Sequence, residues 1–180
     1  LGNLIPLQGD TYFDVFQQKE TANTTFDFLV KDYWVLNNYN HLYTSLGTSL
    51  LSENYSTREF QNLTNGTVND FSLNGFGNTI SYRLNNLFWG LEYKFLAGIF
   101  TVKPGVFYHY YWWKNEQGVE MLSNSTSALL PQVTAETELN SSEKFNFNYN
   151  VNLRFPNSAP LVNNFLLSDF NRVFRGNDRL

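Results

Sequence analysis

Cysteine is absent from the 180 residues, which excludes disulfide staples, thiolate metal sites and cysteine nucleophiles. Histidine occurs only at His41 and His109. With the two far apart and no Cys to complete a ligand set, no metal site is expected. Charge is also sparse: 16% of residues are charged, the net charge is −4 and the sequence pI is near 5.1. Such a chain has no basic footprint, so a nucleic-acid partner is set aside. No apolar run approaches the roughly 20 residues that a membrane helix needs. The opening Leu1-Gly2-Asn3 has neither Met nor a signal-peptide pattern, and the chain is read as a piece of something longer.

What is present is asparagine, 25 residues of it, and an aromatic content of 18%. Asn is poor in helix interiors and at home in turns and on polar sheet faces. Its placement is ordered. From Phe145 to Phe155 the sequence reads FNFNYNVNLRF, in which every odd position is apolar or aromatic and every even one is Asn or Arg. Only a β-strand places Phe145, Phe147, Tyr149, Val151, Leu153 and Phe155 on one face. At roughly 3.3 Å per residue such a strand is about 36 Å long, which suits a tilted bilayer crossing better than a soluble sheet.

The alternation recurs along the chain. Phe26, Phe28, Val30, Trp34 and Leu36 share one parity, with Asp32 the misfit. After Asn37-Asn38-Tyr39-Asn40, Leu42, Leu46 and Leu50 alternate with Ser45, Gly47 and Ser49, which reads as a long hairpin. Ile80, Tyr82 and Leu84 are even, whereas Leu87, Trp89, Leu91, Tyr93 and Phe95 are odd, so a bulge or strand break is expected at Asn85-Asn86. Beyond a turn near 98–101, Val102, Val106, Tyr108, Tyr110 and Trp112 alternate with Lys103, Gly105 and His109. A third hairpin turns near 140–144. Short turns near 37–40, 98–101 and 140–144 thus face long connections at 53–78, 114–128 and 156–180. Outer-membrane barrels have this asymmetry, with an apolar outward band and a polar lumen. Aromatics such as Tyr110 to Trp113 suit the headgroup level.

The stretches DYWVLNNYNHLYTSLG (32–47), NGFGNTISYRLNNLFWGLEYKF (74–95), FTVKPGVFYHY (100–110) and LLPQVTAETELNSSEKFNFNYNVNLRFPN (129–157), with the terminal FRGNDRL, resemble the barrel of TonB-dependent outer-membrane receptors. The type it resembles carries a carboxypeptidase-regulatory-like domain ahead of the plug. The resemblance implies an internal fragment of a barrel of about 22 strands, because six or seven strands do not close one. It further implies outer-membrane lipid, the plug and the remaining barrel strands of the parent polypeptide as partners, and coupling to the TonB complex through that parent. The substrate would be a nutrient of unknown class, and the location the outer membrane of a Gram-negative bacterium.

The expected fold is therefore all-β, an antiparallel up-and-down transmembrane β-barrel segment with residues 1–180 in one barrel domain. No catalytic residue, metal or other cofactor is expected. Glu136 and Glu138 lie two apart on one strand face, as paired carboxylates do, but without a nucleophile or oxyanion loop they read as lumen-facing charge. Glu92, Lys94, Asn148, Asn150 and Arg154 are placed on the same lumenal side. Asn74-Gly75-Phe76-Gly77 lacks the following lysine and helix of a phosphate loop and reads as a turn. Loop aromatics and amides, Tyr55, Phe60, Trp113 and Asn115, are the candidates for substrate contact. Two other readings use the same pattern: a soluble or surface-exposed glycan-binding β module, and the barrel of an adhesin or secretion machine.

Overall fold

A computed structural model describes residues 5–9, 14–169 and 172–177. Among the described residues nine strands follow in order: β1 Val15–Asn37, β2 Asn40–Asn62, β3 Val68–Asp70, β4 Asn78–Ala97, β5 Phe100–Gln117, β6 Glu120–Asn140, β7 Glu143–Asn150, β8 Leu166–Asp169 and β9 Arg172–Phe174. The main sheet is antiparallel and up-and-down in the order β1-β2-β4-β5-β6-β7, with β3 paired to β2 and β8-β9 a separate hairpin. The sheet curls into an open half-barrel, and three quarters of the described residues are strand. The expected all-β, antiparallel up-and-down, incomplete-barrel architecture is what is found.

Two turn designs join the long strands. Gly98-Ile99 and Gly118-Val119 put a glycine of positive φ, 64° and 60°, at the first turn position, the type II′ arrangement that matches strand twist. Asn38-Tyr39 and Ser141-Ser142 contain no positive φ; there Asn37 and Asn140 accept the backbone N–H two residues on, both at 2.9 Å, and the register shifts beside each turn.

One of the three long connections is not a loop. Residues 114–117 belong to β5 and 120–128 to β6, joined by the two-residue turn at Gly118, and residues 53–62 likewise extend β2. Lys114, Glu116, Ser123 and Ser125 abolish the apolar alternation here, but a ladder of backbone hydrogen bonds needs none. The β2–β4 connection is confined to 63–77.

The expected irregularity at Asn85-Asn86 is also absent. β4 keeps one unbroken register with β2 from Asn78 to Lys94, so its even residues face one side throughout. Ile80, Tyr82 and Leu84 point to the concave side and Leu87, Trp89 and Leu91 to the convex side. The environment changes face, not the strand.

The convex face is banded as a result. Next to the short turns at 38, 98 and 141 it carries Phe26 to Leu36, Leu42 to Leu50, Leu87 to Phe95, Val102 to Trp112 and Phe145 to Tyr149. No second sheet covers them among the described residues: Trp34 is 53% exposed, Leu129 65% and Phe147 50%. Farther along the same strands the convex face turns polar, with Ser52, Asn54, Ser81, Arg83, Ser123 and Ser125.

β7 ends at Asn150, short of the expected Phe155. Val151 N–H still donates to Pro131 O at 3.1 Å. The return bond is impossible, because proline has no N–H, and the ladder stops. From there the chain leaves the sheet edge and enters the concavity. Residues 151–169 and 172–177 form a strap through Phe155, a short 3-10 turn at Ala159–Leu161 and the paired strands β8 and β9. Leu161 and Val162 are buried against Tyr55, Ile80 and Tyr82, while Phe71 and Phe76 form a second cluster with Ile5, flanked by Phe165, Leu167 and Val173.

Candidate functional site

The concave face has an upper part under the strap and a lower part toward the short turns. In the upper part, cross-strand register places Glu53 opposite Tyr82 and Tyr82 opposite Asn115. Ser158 of the strap donates its hydroxyl to Glu53 Oε1 at 2.6 Å, both groups being buried. Gln117 clasps the strap from β5: its Nε2 donates to Leu161 O at 2.6 Å and its Oε1 accepts Asn163 N–H at 3.1 Å. Asn78 does the same from β4, accepting Asn164 N–H at 3.0 Å and donating to Phe165 O at 3.4 Å. Gln17 donates to Leu167 O and to Glu59 Oε1, both at 2.7 Å. These bonds satisfy strap backbone groups at Leu161, Asn163, Asn164, Phe165 and Leu167, as burial requires.

The phenols of this part are held neutral beside buried carboxylates. Burial, and then the Glu53 charge, push the Tyr82 hydroxyl up to about 12, and burial with Glu59 and Glu53 nearby raises Tyr55. Both remain protonated at physiological pH.

The lower part is polar and aromatic. Phe88, His109 and Tyr111 stack, with centroids 4.9 and 5.4 Å apart, and His109 Nδ1 lies 3.0 Å from Asn86 Oδ1. A Cβ at Gly47 would collide with the Phe88 ring, and one at Gly90 with Phe107, so glycine is what lets these rings lie flat on the wall. Glu92 accepts from both Lys103 and Gln132 at 2.8 Å, and Lys103 Nζ sits 4.7 Å from the Tyr43 centroid. Between the two parts lies an open cavity of about 370 Å³ bounded by Ser49, Leu84, Asn86, Tyr111, Phe155 and Asn157. Its walls offer ring faces, leucine and proline side chains, hydroxyls and amides, and no charged group.

Three of the four expected substrate-contact residues meet on this face, under or beside the strap. Tyr55 is buried in the strap core, Trp113 packs against Phe155 at 5.3 Å, and Asn115 is buried with no partner for its Oδ1 among the described residues. Phe60 is elsewhere: it lies on the convex side, stacked on Phe16 at 5.6 Å with the Arg58 guanidinium above it. By register, Glu92, Lys94, Glu136, Glu138, Asn148 and Asn150 share the concave parity. Glu138 pairs with Lys144 at 2.5 Å. Arg154 falls in the unpaired stretch after β7, where no ladder fixes its side.

Glu53, Tyr82, Gln117 and Ser158 were not singled out by sequence reasoning. The usable signal was the even parity of Ile80, Tyr82 and Leu84, which marks an apolar patch on the otherwise polar face and calls for an apolar partner such as Leu161-Val162. Among the described residues no group of three His, Cys, Asp or Glu is assembled. A comparison with family models and one with curated proteins each find no match.

Proposed function

We propose that this chain is a wall segment of an outer-membrane β-barrel of the TonB-dependent transporter type. Its convex band faces lipid, its concave face lines the lumen, and its strap narrows the lumen at the outer end. The observation that carries this reading is the band itself. From Phe26 to Leu36 the convex residues run ten steps, about 33 Å along the strand, which at a tilt near 40° is about 25 Å of height, the apolar thickness of an outer-membrane barrel. Asp32 is the charge inside it, and its carboxylate accepts from Trp34 Nε1 and Tyr33 N–H, both at 2.9 Å. The strands continue beyond the band as a polar wall, which sets the strap above the outer headgroups.

In this mechanism a nutrient enters from outside past the strap and the ring-and-amide wall. Movement of a plug supplied by the parent polypeptide, driven by the TonB complex, releases it inward. The chain contributes wall and constriction, not chemistry. The test is detergent dependence: a β-rich species that is soluble and monodisperse only in detergent or lipid is expected. A compact monomer in plain buffer contradicts the reading and favours a soluble binding module. A parent reading frame without a plug contradicts the transporter part and favours an adhesin or secretion barrel.

A further inference from the structure

The convex face carries three cations on its strands, Arg58, Arg83 and Lys114, and none within the apolar band. Arg58 is paired to Asp70 at 2.7 Å. The other two are directly opposed: Arg83 of β4 is in register with Lys114 of β5. Their convex neighbours in the same row are Ser52 and Ser123, both uncharged. Like charges facing each other across an antiparallel pair have Cβ atoms about 5 Å apart and repel, so the arrangement is costly unless an anion lies between them. Glu116, two residues along β5 on the same face, makes its ion pair with Lys114, and the Arg83 charge reaches its carboxyl only at longer range. Arg83 has no ion pair within 4 Å among the described residues, and the trio keeps a net positive charge.

Position supplies the rest. The row below this pair is Asn85 opposite Trp112, and the next is Leu87 opposite Tyr110, so the two cations stand at the outer rim of the band, directly above two amphipathic rings. We propose that Arg83 and Lys114 form a clamp for the phosphate of an outer-leaflet lipid headgroup. Arg83 offers a planar fork of donors and Lys114 a point charge, while the acyl chains lie along Tyr110 and Leu87. This inference rests on the membrane reading above. In it, Glu116 is an internal competitor that holds Lys114 when no phosphate is bound.

The test uses the full chain in vesicles, with Trp112 as the only tryptophan and the other three replaced by Phe. Its quenching by brominated phosphatidylcholine is compared with that by brominated phosphatidic acid. Each engaged cation is expected to favour the phosphatidic acid by about fivefold, the factor for one basic residue at an anionic surface. R83Q/K114Q is expected to abolish the preference, and E116Q to increase it. A matching variant with Trp34 as the only tryptophan, at the opposite rim, is expected to show no preference. Equal quenching by the two lipids at Trp112, or a preference that survives R83Q/K114Q, overturns the clamp and leaves the membrane reading intact. Absence of quenching by either lipid at both positions overturns the membrane reading itself.

Discussion

On either side of Asn85-Asn86 the same sheet has opposite polarity. Toward the short turns its convex face is apolar and its concave face holds Glu92, Lys94, Lys103 and Gln132. Toward the strap the convex face holds Ser81, Arg83 and Lys114, and the concave face buries Tyr55, Ile80 and Tyr82. One register, without a shift, serves both. A strand needs only its backbone bonds to continue, so side-chain polarity is free to invert along it wherever the surroundings do. Two apolar surfaces result, one left uncovered among the described residues and one covered by the chain's own residues 151–169 and 172–177.

The comparison breaks most visibly at the covered surface. Ile80 is 1% exposed, and Ile80→Ala is expected to cost about 2–5 kcal/mol, read as loss of hydrogen-exchange protection and new proteolysis across residues 156–177. Protection unchanged there would mean that the strap does not depend on this core. At the uncovered surface, Trp89→Arg is expected to destabilise the inserted protein by about 2–4 kcal/mol in folding titrations with lipid vesicles. Ser81→Arg, eight residues away on the same convex face of the same strand, is expected to stay within about 0.5 kcal/mol. Equal costs at the two positions would erase the distinction between the halves. Ser158→Ala removes the hydroxyl donor from the buried Glu53 carboxylate and is expected to cost about 2 kcal/mol, seen as earlier release of the strap in denaturant.

The smallest effect is a pH dependence in the 63–77 connection. Backbone donation from Ser72 and the Arg58 guanidinium hold the Asp70 carboxyl below its ordinary 3.8. A depressed carboxyl contributes stability that is present above the unfolded value and lost as pH falls through the lower folded one. Exchange protection of residues 68–72 is therefore expected to weaken as pH drops from about 5 through the region below 3.8, and Asp70→Asn to flatten that dependence.

Much of the band was legible because convex and concave residues alternate strictly there: FNFNYN at 145–150 and LFWGLEYKF at 87–95 declare their faces residue by residue. The upper half was not legible in the same way. Around Lys114-Asn115-Glu116-Gln117 both faces are polar, so the pattern read as a loop although the strand persists. Ile80, Tyr82 and Leu84 have the right parity, but their apolarity changes face where the strand does not break. The strap was hidden for a different reason. VNLRF continues the alternation past Asn150, and only the missing N–H of Pro131 on the neighbouring strand ends the pairing, a long-range effect that no local pattern carries. Of the site, the aromatic and amide residues Tyr55, Trp113 and Asn115 were visible as residue types, whereas their convergence depends on a segment more than forty residues downstream of Asn115.

The most direct test of the two-sided wall is a set of single-tryptophan chains in vesicles, read by depth-resolved quenching with lipids brominated at different acyl positions. Trp89 is expected to be quenched within the acyl region, Trp34 and Trp112 near its two rims, and Trp113, one residue from Trp112 but on the concave face against Phe155, not at all. Equal quenching of Trp112 and Trp113, or none at Trp89, would contradict a wall with lipid on one side and lumen on the other.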